Sequence, residues 1–371
     1  MKNNLYNNKM RVLAFYLPQF HTIPENDMWW GKGFTDWSNV RKAKPYYKNQ
    51  YQPREPLADN YYDLTNIETI KWQADLAKKY NVSGLCFYHY WFNGKLLLEK
   101  PSELLLKHTD IELDYCFSWA NEPWARTWDG KNNHILMPQS YGDEADWLKH
   151  FEYLLPFFKD DRYIKIGNKP MFLLYKSQSI PQCKLMMDYW NKLAVNQGFS
   201  GIHFVETLRG RTSDSRELPY EAKVEFEPIR TNYKQSFFVL NYKRIRRRVL
   251  DVINVVFNTQ IPLNRKYKFQ TVASRSLALR SPQGTYGGVF VGWDNTARKG
   301  LKGTYIEMPT KDEFKAYLAR KIEITQNVYN TNFIFVNAWN EWAEGTYLEP
   351  DKKNRFDYLE AIKEVLEEDE R

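Results

Sequence analysis

Thr310-Lys311-Asp312-Glu313, followed further along by Phe333-Ile334-Phe335-Val336-Asn337-Ala338, holds the fold in miniature. A Thr with Glu three residues on is a capping box, in which each side chain satisfies the other residue's backbone N–H at a helix start. Phe314, Leu318 and Ile322 then return at helical spacing and give that helix one apolar side. The run from Phe333 is short and almost wholly apolar, as a strand covered on both faces is. A helix leading into a buried strand is half of the crossover unit that joins parallel strands.

The same alternation extends outward over the chain. Strand-like runs are expected at Arg11 to Tyr16, Gly84 to Tyr88, Leu113 to Phe117, Pro170 to Tyr175, Ile202 to Val205, Ala222 to Phe226, Gly288 to Trp293 and Phe333 to Ala338. Between the first two, Thr65-Asn66-Ile67-Glu68 reads as a second capping box, and Ile67, Ile70, Ala74 and Ala77 form a helical stripe. Weaker helical patterns cover 143–158 and 184–197, and Phe356, Leu359, Ile362 and Leu366 stripe a charged closing helix. Eight strand–helix units fit an α/β fold of the closed (β/α)8 TIM-barrel type better than an open doubly wound sheet. The 371 residues exceed the roughly 250 a barrel needs, so elaborated βα loops are expected. One domain over 1–371 is expected, since no Gly/Ser-rich linker divides it. The link at about 228–287 is too long for an ordinary loop and reads as an insertion carrying its own helices.

Composition narrows the class. The opening MKNNLYNNKM lacks the apolar stretch of a secretory signal, and no apolar run approaches the roughly 20 residues of a membrane span, which makes a cytoplasmic location the expectation. Cys86, Cys116 and Cys183 are too few and scattered for a disulfide framework or zinc pattern and read as buried thiols. The net charge of +8 is concentrated: between Lys243 and Arg280 stand ten basic residues and one acid, Asp251. No nucleic-acid-binding module accompanies them, so nucleic acid is not expected as a partner. Two readings of 243–257 remain, where Lys243 to Arg248 precede the apolar run Val249 to Phe257. The segment is a peripheral contact with the inner face of a membrane or with a lipid-linked glycan, or it is a solvated helix whose apolar face packs on the barrel.

A barrel of this kind carries its site at the C-terminal ends of its strands. Aromatic rings, amides and carboxylates crowd these positions here, as in Tyr88-His89-Tyr90-Trp91, in Ser118-Trp119-Ala120-Asn121-Glu122-Pro123-Trp124-Ala125-Arg126, and in Trp293-Asp294-Asn295. Rings with an apolar face and a polar tip suit sugar stacking, and amides and acids suit hydroxyls, so an oligosaccharide or polysaccharide is the expected partner. The candidate substrate-binding residues are Tyr16, His89, Tyr90, Trp91, Asn121, Glu122, Trp124, Arg126, Trp293, Asp294, Asn340 and Trp342. For His89 a satisfied core histidine competes with a sugar contact, and for Glu122 catalysis competes with binding. No metal or other cofactor is expected.

The candidate catalytic pair is Glu341 and Glu344. Work on a glycosidic bond generally takes two carboxyl groups. Three residues apart on a helical turn, their Cβ atoms would stand about 5–6 Å apart, close to the roughly 5–5.5 Å carboxyl separation of retaining enzymes. Neighbouring carboxyls also drive one pKa upward, leaving an acid and a base in one site. A lone Glu-x-x-Glu is commonly a solvated loop. Placement directly after an apolar strand, between Trp339 and Trp342, favours chemistry.

Gly31-Lys32-Gly33-Phe34-Thr35-Asp36-Trp37, Phe87 to Phe92, Trp119-Ala120-Asn121-Glu122 and Asn337 to Gly345 together resemble the WbsX-type, glycoside hydrolase family 99-like proteins over nearly the whole chain. The resemblance implies gene clusters for O-antigen or capsular polysaccharide, where such proteins often carry a glycosyltransferase label. It also implies the (β/α)8 fold and metal-free chemistry of retaining endo-α-mannosidases. Their Glu-Trp-His-Glu-Gly motif is similar to Glu341-Trp342-Ala343-Glu344-Gly345, with Ala343 departing from it. By that resemblance Glu341 is the base that turns the sugar's 2-hydroxyl on the anomeric carbon, giving a 1,2-anhydro sugar, and Glu344 is the general acid and base. Trp293 and Asp294 resemble the family's aromatic-Asp stretch, and matching Arg298 there needs a gap. The expected function is a retaining glycoside hydrolase or transglycosylase on an α-linked bacterial glycan. A glycosyltransferase is the alternative, weakened by the lack of an Asp-x-Asp site and a Rossmann glycine loop. A non-catalytic glycan-binding protein is the third reading.

Overall fold

Parallel pairing of the first strand on both edges closes the sheet. In the computed structural model, which describes residues 9–126, 134–210, 214–233, 237–259, 261, 263 and 266–369, β1 (Arg11–Tyr16) sets Leu13 against Phe335 on one side and Gly84 on the other. Around the barrel follow β2 (Gly84–Phe92), β3 (Tyr115–Trp119), β4 (Lys169–Leu174), β5 (His203–Leu208), β6 (Ala222–Glu225), β7 (Thr285–Phe290) and β8 (Phe333–Asn337). These eight parallel strands form the (β/α)8 TIM barrel. They are buried almost end to end, which is why each reads in sequence as an apolar run.

The outer layer comprises α1 (Ile67–Lys79), α2 (Lys100–Lys107), α3 (Glu144–Lys159), α4 (Cys183–Asn196), α5 (Phe237–Val256), α6 (Phe269–Ala278), α7 (Lys311–Asn327) and α8 (Asp357–Asp369). The box at α7 closes in both directions: Glu313 N–H donates to Thr310 at 3.3 Å, and Thr310 N–H donates to Glu313 at 2.9 Å. At α1 the cap differs from expectation. Asn66 accepts from Glu68 N–H at 3.1 Å, while Asp63 captures the Thr65 hydroxyl at 2.6 Å. Between β5 and β6 no helix occurs among the described residues. There Arg216 binds Asp214 at 2.6 Å and the carbonyls of Ser177 and Ile180 at 2.7 Å each, so a polar clamp ties the segment down in place of an apolar helix face.

The link at 228–287 carries a short helix at Ile229–Tyr233, then α5 and α6. Beneath it, Lys321 of α7 reaches Glu225 at the end of β6 (2.7 Å), and Arg230 approaches the same carboxylate at 3.2 Å. All three are buried. The two cations outweigh the burial that would raise the Glu225 pKa and hold it below the ordinary value. Gly288 of β7 lies against this group, and a Cβ there would collide with the Glu225 carbonyl.

Many of the Trp residues belong to the core, with Trp119, Trp190, Trp339 and Trp342 fully buried. Inside the barrel Phe15 meets Phe226 at 5.1 Å, Phe335 at 5.4 Å and Tyr88 at 5.8 Å between ring centroids. This cluster floors a pocket at the C-terminal end of the strands. The three cysteines are buried thiols.

Candidate active site

Past β8 the chain pairs Asn340–Glu341 with Thr346–Tyr347 and turns through a short 3-10 segment, Trp342–Glu344. Gly345 ends the turn at φ +61°, where an added Cβ would stand 2.7 Å from Asp294 Cβ. Two side chains root the turn. Asn340 accepts from Leu17 N–H at 2.7 Å and donates to Leu17 C=O at 3.0 Å, while the Trp342 indole donates to buried Glu349 at 2.7 Å and stacks on Tyr347. In a 3-10 turn residues i and i+3 eclipse. With the residues between them turned inward, Glu341 and Glu344 both line the pocket.

One guanidinium holds the pair. Arg298, on a short helix (Thr296–Lys299) after β7, donates to Glu344 at 3.0 Å, and its other terminal nitrogen lies 3.6 Å from Glu341. That second nitrogen donates to Asp36 at 2.6 Å. Three carboxyl groups thus share one cation. Burial drives the Glu341 pKa up; Arg298 opposes this, Glu344 and Asp36 add to it, and the carboxyl is pushed up to about 8. The Glu341 oxygen that faces Arg298 is buried and has no hydrogen-bond partner among the described residues. Tyr88 and Tyr90 of β2 face the same pocket, and burial, reinforced by the Glu341 charge, keeps their hydroxyls protonated as donors.

The pocket measures about 240 Å³. The rings of Trp124, Tyr175, Phe226 and Trp293 line it too, with Glu122 and Ile229 beside them. Glu122 is bound by Lys176 at 3.0 Å and by Arg209 at 3.2 Å. Burial raises its pKa, yet the two cations outweigh burial and hold it below the ordinary value. Arg209 in turn lies over the Tyr175 ring, 3.6 Å from its centroid. With two cations on it, Glu122 is held ionised as a hydrogen-bond acceptor.

Of the residues singled out from sequence, the fold brings Tyr90, Glu122, Trp124, Trp293, Glu341 and Glu344 to this pocket. Others it turns away. His89 is buried, bonded to His150 at 2.8 Å, and pushed by burial down to about 3, so the core-histidine reading holds. Trp91 is buried and donates to Asp146 at 3.1 Å, and Tyr16 donates to Gln73 at 2.8 Å. Asn121 clips the Lys176 backbone through bonds of 2.8 and 2.9 Å, positioning the loop that presents Glu122. Asp294 is fully buried and accepts from Gln50 at 2.8 Å and Gln52 at 3.0 Å. Asn340 and Trp342 are the anchors described above. Arg126 ends a short strand, and its side chain lies outside the described residues. Ala343 is buried in the turn.

Tyr88, Tyr175, Lys176, Arg209 and Asp36 are not among the candidates read from sequence, and Arg298 enters there only through the resemblance. Tyr88 was legible, because alternate strand residues share a face and Tyr88 goes with Tyr90. The same parity sends His89 and Trp91 to the opposite side. Nothing local in sequence joins Asp36 to Arg298.

Comparison with known proteins agrees with this architecture. Residues 12–362 match the family described as "Glycosyltransferase WbsX". The chain is 34% identical over 357 residues to "Uncharacterized protein WxcX" of Xanthomonas campestris pv. campestris, covering 96% of this chain and 49% of that one, so it spans about half the length of the curated relatives it matches. The GH99 endo-alpha-mannosidase from Bacteroides thetaiotaomicron superposes with a TM-score of 0.57 at 14% identity, covering 96% of this chain and 97% of the other. A "Glycoside hydrolase-like protein" gives 0.58 at 12% identity, covering 97% and 94%. At such identities the likeness is one of fold.

Proposed function

We propose, on the premise that this chain belongs to the WbsX family, that it is a retaining glycoside hydrolase or transglycosylase acting on an α-linked bacterial glycan, with Glu341 and Glu344 as its catalytic pair. One observation carries the reading: two glutamates bridged by Arg298 at the base of an aromatic pocket on the C-terminal rim of a barrel. The pocket lies just below the roughly 300–1,000 Å³ of drug-sized ligand sites and suits one ring of a longer chain.

The resemblance to endo-α-mannosidases supplies the step. Glu341 takes the proton of the 2-hydroxyl, that oxygen bonds to the anomeric carbon, and the leaving oxygen departs with a proton from Glu344. Water or an acceptor hydroxyl then gives its proton to Glu344 and attacks the anomeric carbon, opening the anhydro ring, while Glu341 returns its proton to the 2-oxygen. Two inversions leave the configuration retained. A sugar hydroxyl is a weak acid, and a carboxylate whose conjugate acid has a pKa near 8 is a stronger base for it than an ordinary one. Ala343, where the mannosidases have His, favours a sugar other than theirs.

The test is incubation with the polysaccharide of the host organism, with product mass and anomeric configuration followed by NMR. Glu341→Gln and Glu344→Gln should each reduce turnover by about 10²–10⁴-fold with the fold intact by circular dichroism; unchanged turnover would end the proposal. The family's description as a glycosyltransferase supports a second reading, transfer in O-antigen or capsule assembly. Turnover that requires a nucleotide-sugar or lipid-linked donor would select it. A glycan bound yet left intact would mean binding without reaction.

A further inference from the structure

Helix α5 turns its apolar side away from the barrel. Ile245, Val249, Val252 and Val256 recur at i, i+4, i+7 and i+11, one stripe along the helix. All four are exposed, Val252 by 60% and Val256 by 67%, and Phe257 beyond the helix end by 70%. The opposite side carries the half-buried Arg247, Leu250 and Asn254. On that side Asn254 binds the backbone of Ile261, in the segment that follows the helix, twice, at 2.7 and 2.8 Å. Arg244 and Arg248 are exposed and each precede a stripe residue, so they line its flank.

A solvated helix has no use for such a stripe. The expectation that Val249 to Phe257 would pack on the barrel is not met along Val249, Val252, Val255 and Val256, which face solvent. The charge around the stripe selects its occupant. Ten bases stand against Asp251 alone between Lys243 and Arg280. A second copy docking by twofold symmetry would set those bases against themselves. Nucleic acid would account for the arginines and leave the valines idle. An anionic bilayer surface satisfies both, with apolar side chains entering the acyl boundary and arginines at the phosphates. No helix among the described residues is long and apolar enough to cross a membrane, so the contact is peripheral.

We propose that α5 is a docking helix for an anionic lipid surface. The chain reaches it from β6 through Phe226 and Ile229, both in the pocket wall, so the anchor leaves the barrel at the end that carries the pocket. Docking would hold that end at a membrane bearing glycan carriers, and it stands independently of the reaction performed there.

The test is co-sedimentation of the full chain with vesicles of phosphatidylcholine alone or mixed with phosphatidylglycerol. Binding to the mixed vesicles, weakened by salt, is expected. Val249→Glu with Val252→Glu should remove it. Arg244→Gln with Arg248→Gln should weaken it roughly thirtyfold, about fivefold per charge near an anionic surface. Both pairs are exposed, so folding and turnover of soluble oligosaccharide should be unchanged, which separates failure here from failure of the catalytic reading. Indifference to anionic lipid, equal binding to neutral vesicles, or a dimer abolished by the glutamate pair would each overturn the proposal.

Discussion

Asp36 accepts a hydrogen bond of 2.6 Å from Arg298 across 262 positions of sequence. Half of the guanidinium is thereby committed, which leaves Glu341 at 3.6 Å, within charge reach but beyond hydrogen-bond distance. The pairing therefore sets how strongly Arg298 can oppose the upward shift of Glu341.

Asp36→Asn should lower the Glu341 pKa, since it removes a charge that raises it and frees Arg298 to turn toward it. Arg298→Met should raise it. The descending limb of kcat/KM against pH is expected to move to lower pH in the first variant and higher in the second. Coincident limbs in wild type and both variants would remove Glu341 from the titration.

In the wild type the step needs the pair to hold one proton, on Glu344 while Glu341 is ionised, so kcat/KM should fall as pH rises through about 8 and that proton is lost. Stability runs the same way. Between the ordinary carboxyl value of about 4.3 and about 8, the folded chain keeps a proton that the unfolded chain has released, so this group's contribution is full below that window and lost as pH rises through it. Denaturant melts across the range measure the second effect. A rate that does not fall through that pH would remove Glu341 from the titrating pair.

Trp124→Ala should raise KM about tenfold with little change in kcat. Stacking of about 0.5–1.5 kcal/mol is lost equally from bound substrate and transition state. Steady-state kinetics on an oligosaccharide checks it, and a fall in kcat alone would contradict it.

Lys321→Met should cost about 3–5 kcal/mol of stability, because it strips a buried carboxylate of one partner. Arg230 remains at 3.2 Å and holds the cost to the lower part of that range. Chemical denaturation measures it, and a neutral effect would mean that Glu225 takes up a proton instead.

What could be read from the chain was local. Strand and helix periods gave the barrel, Thr310 and Glu313 gave the cap of α7, and a Glu-x-x-Glu after the last strand gave the pair at the rim. Where a nearer competitor intervened, as Asp63 did at Thr65, the local signal misplaced the cap by one residue. The parity that separates Tyr88 and Tyr90 from His89 and Trp91 is also local, since alternate strand residues share a face.

The sequence by itself determined the barrel and the position of its two rim glutamates, because periodicity and capping act between residues a few positions apart. Only the tertiary structure decided that one arginine joins Asp36, Glu341 and Glu344, that Glu122 is neutralised by Lys176 and Arg209, and which way α5 faces. Closing the sheet sets side chains from distant segments within a few ångströms of one another, and around Arg298 it does so where little water is left to screen them.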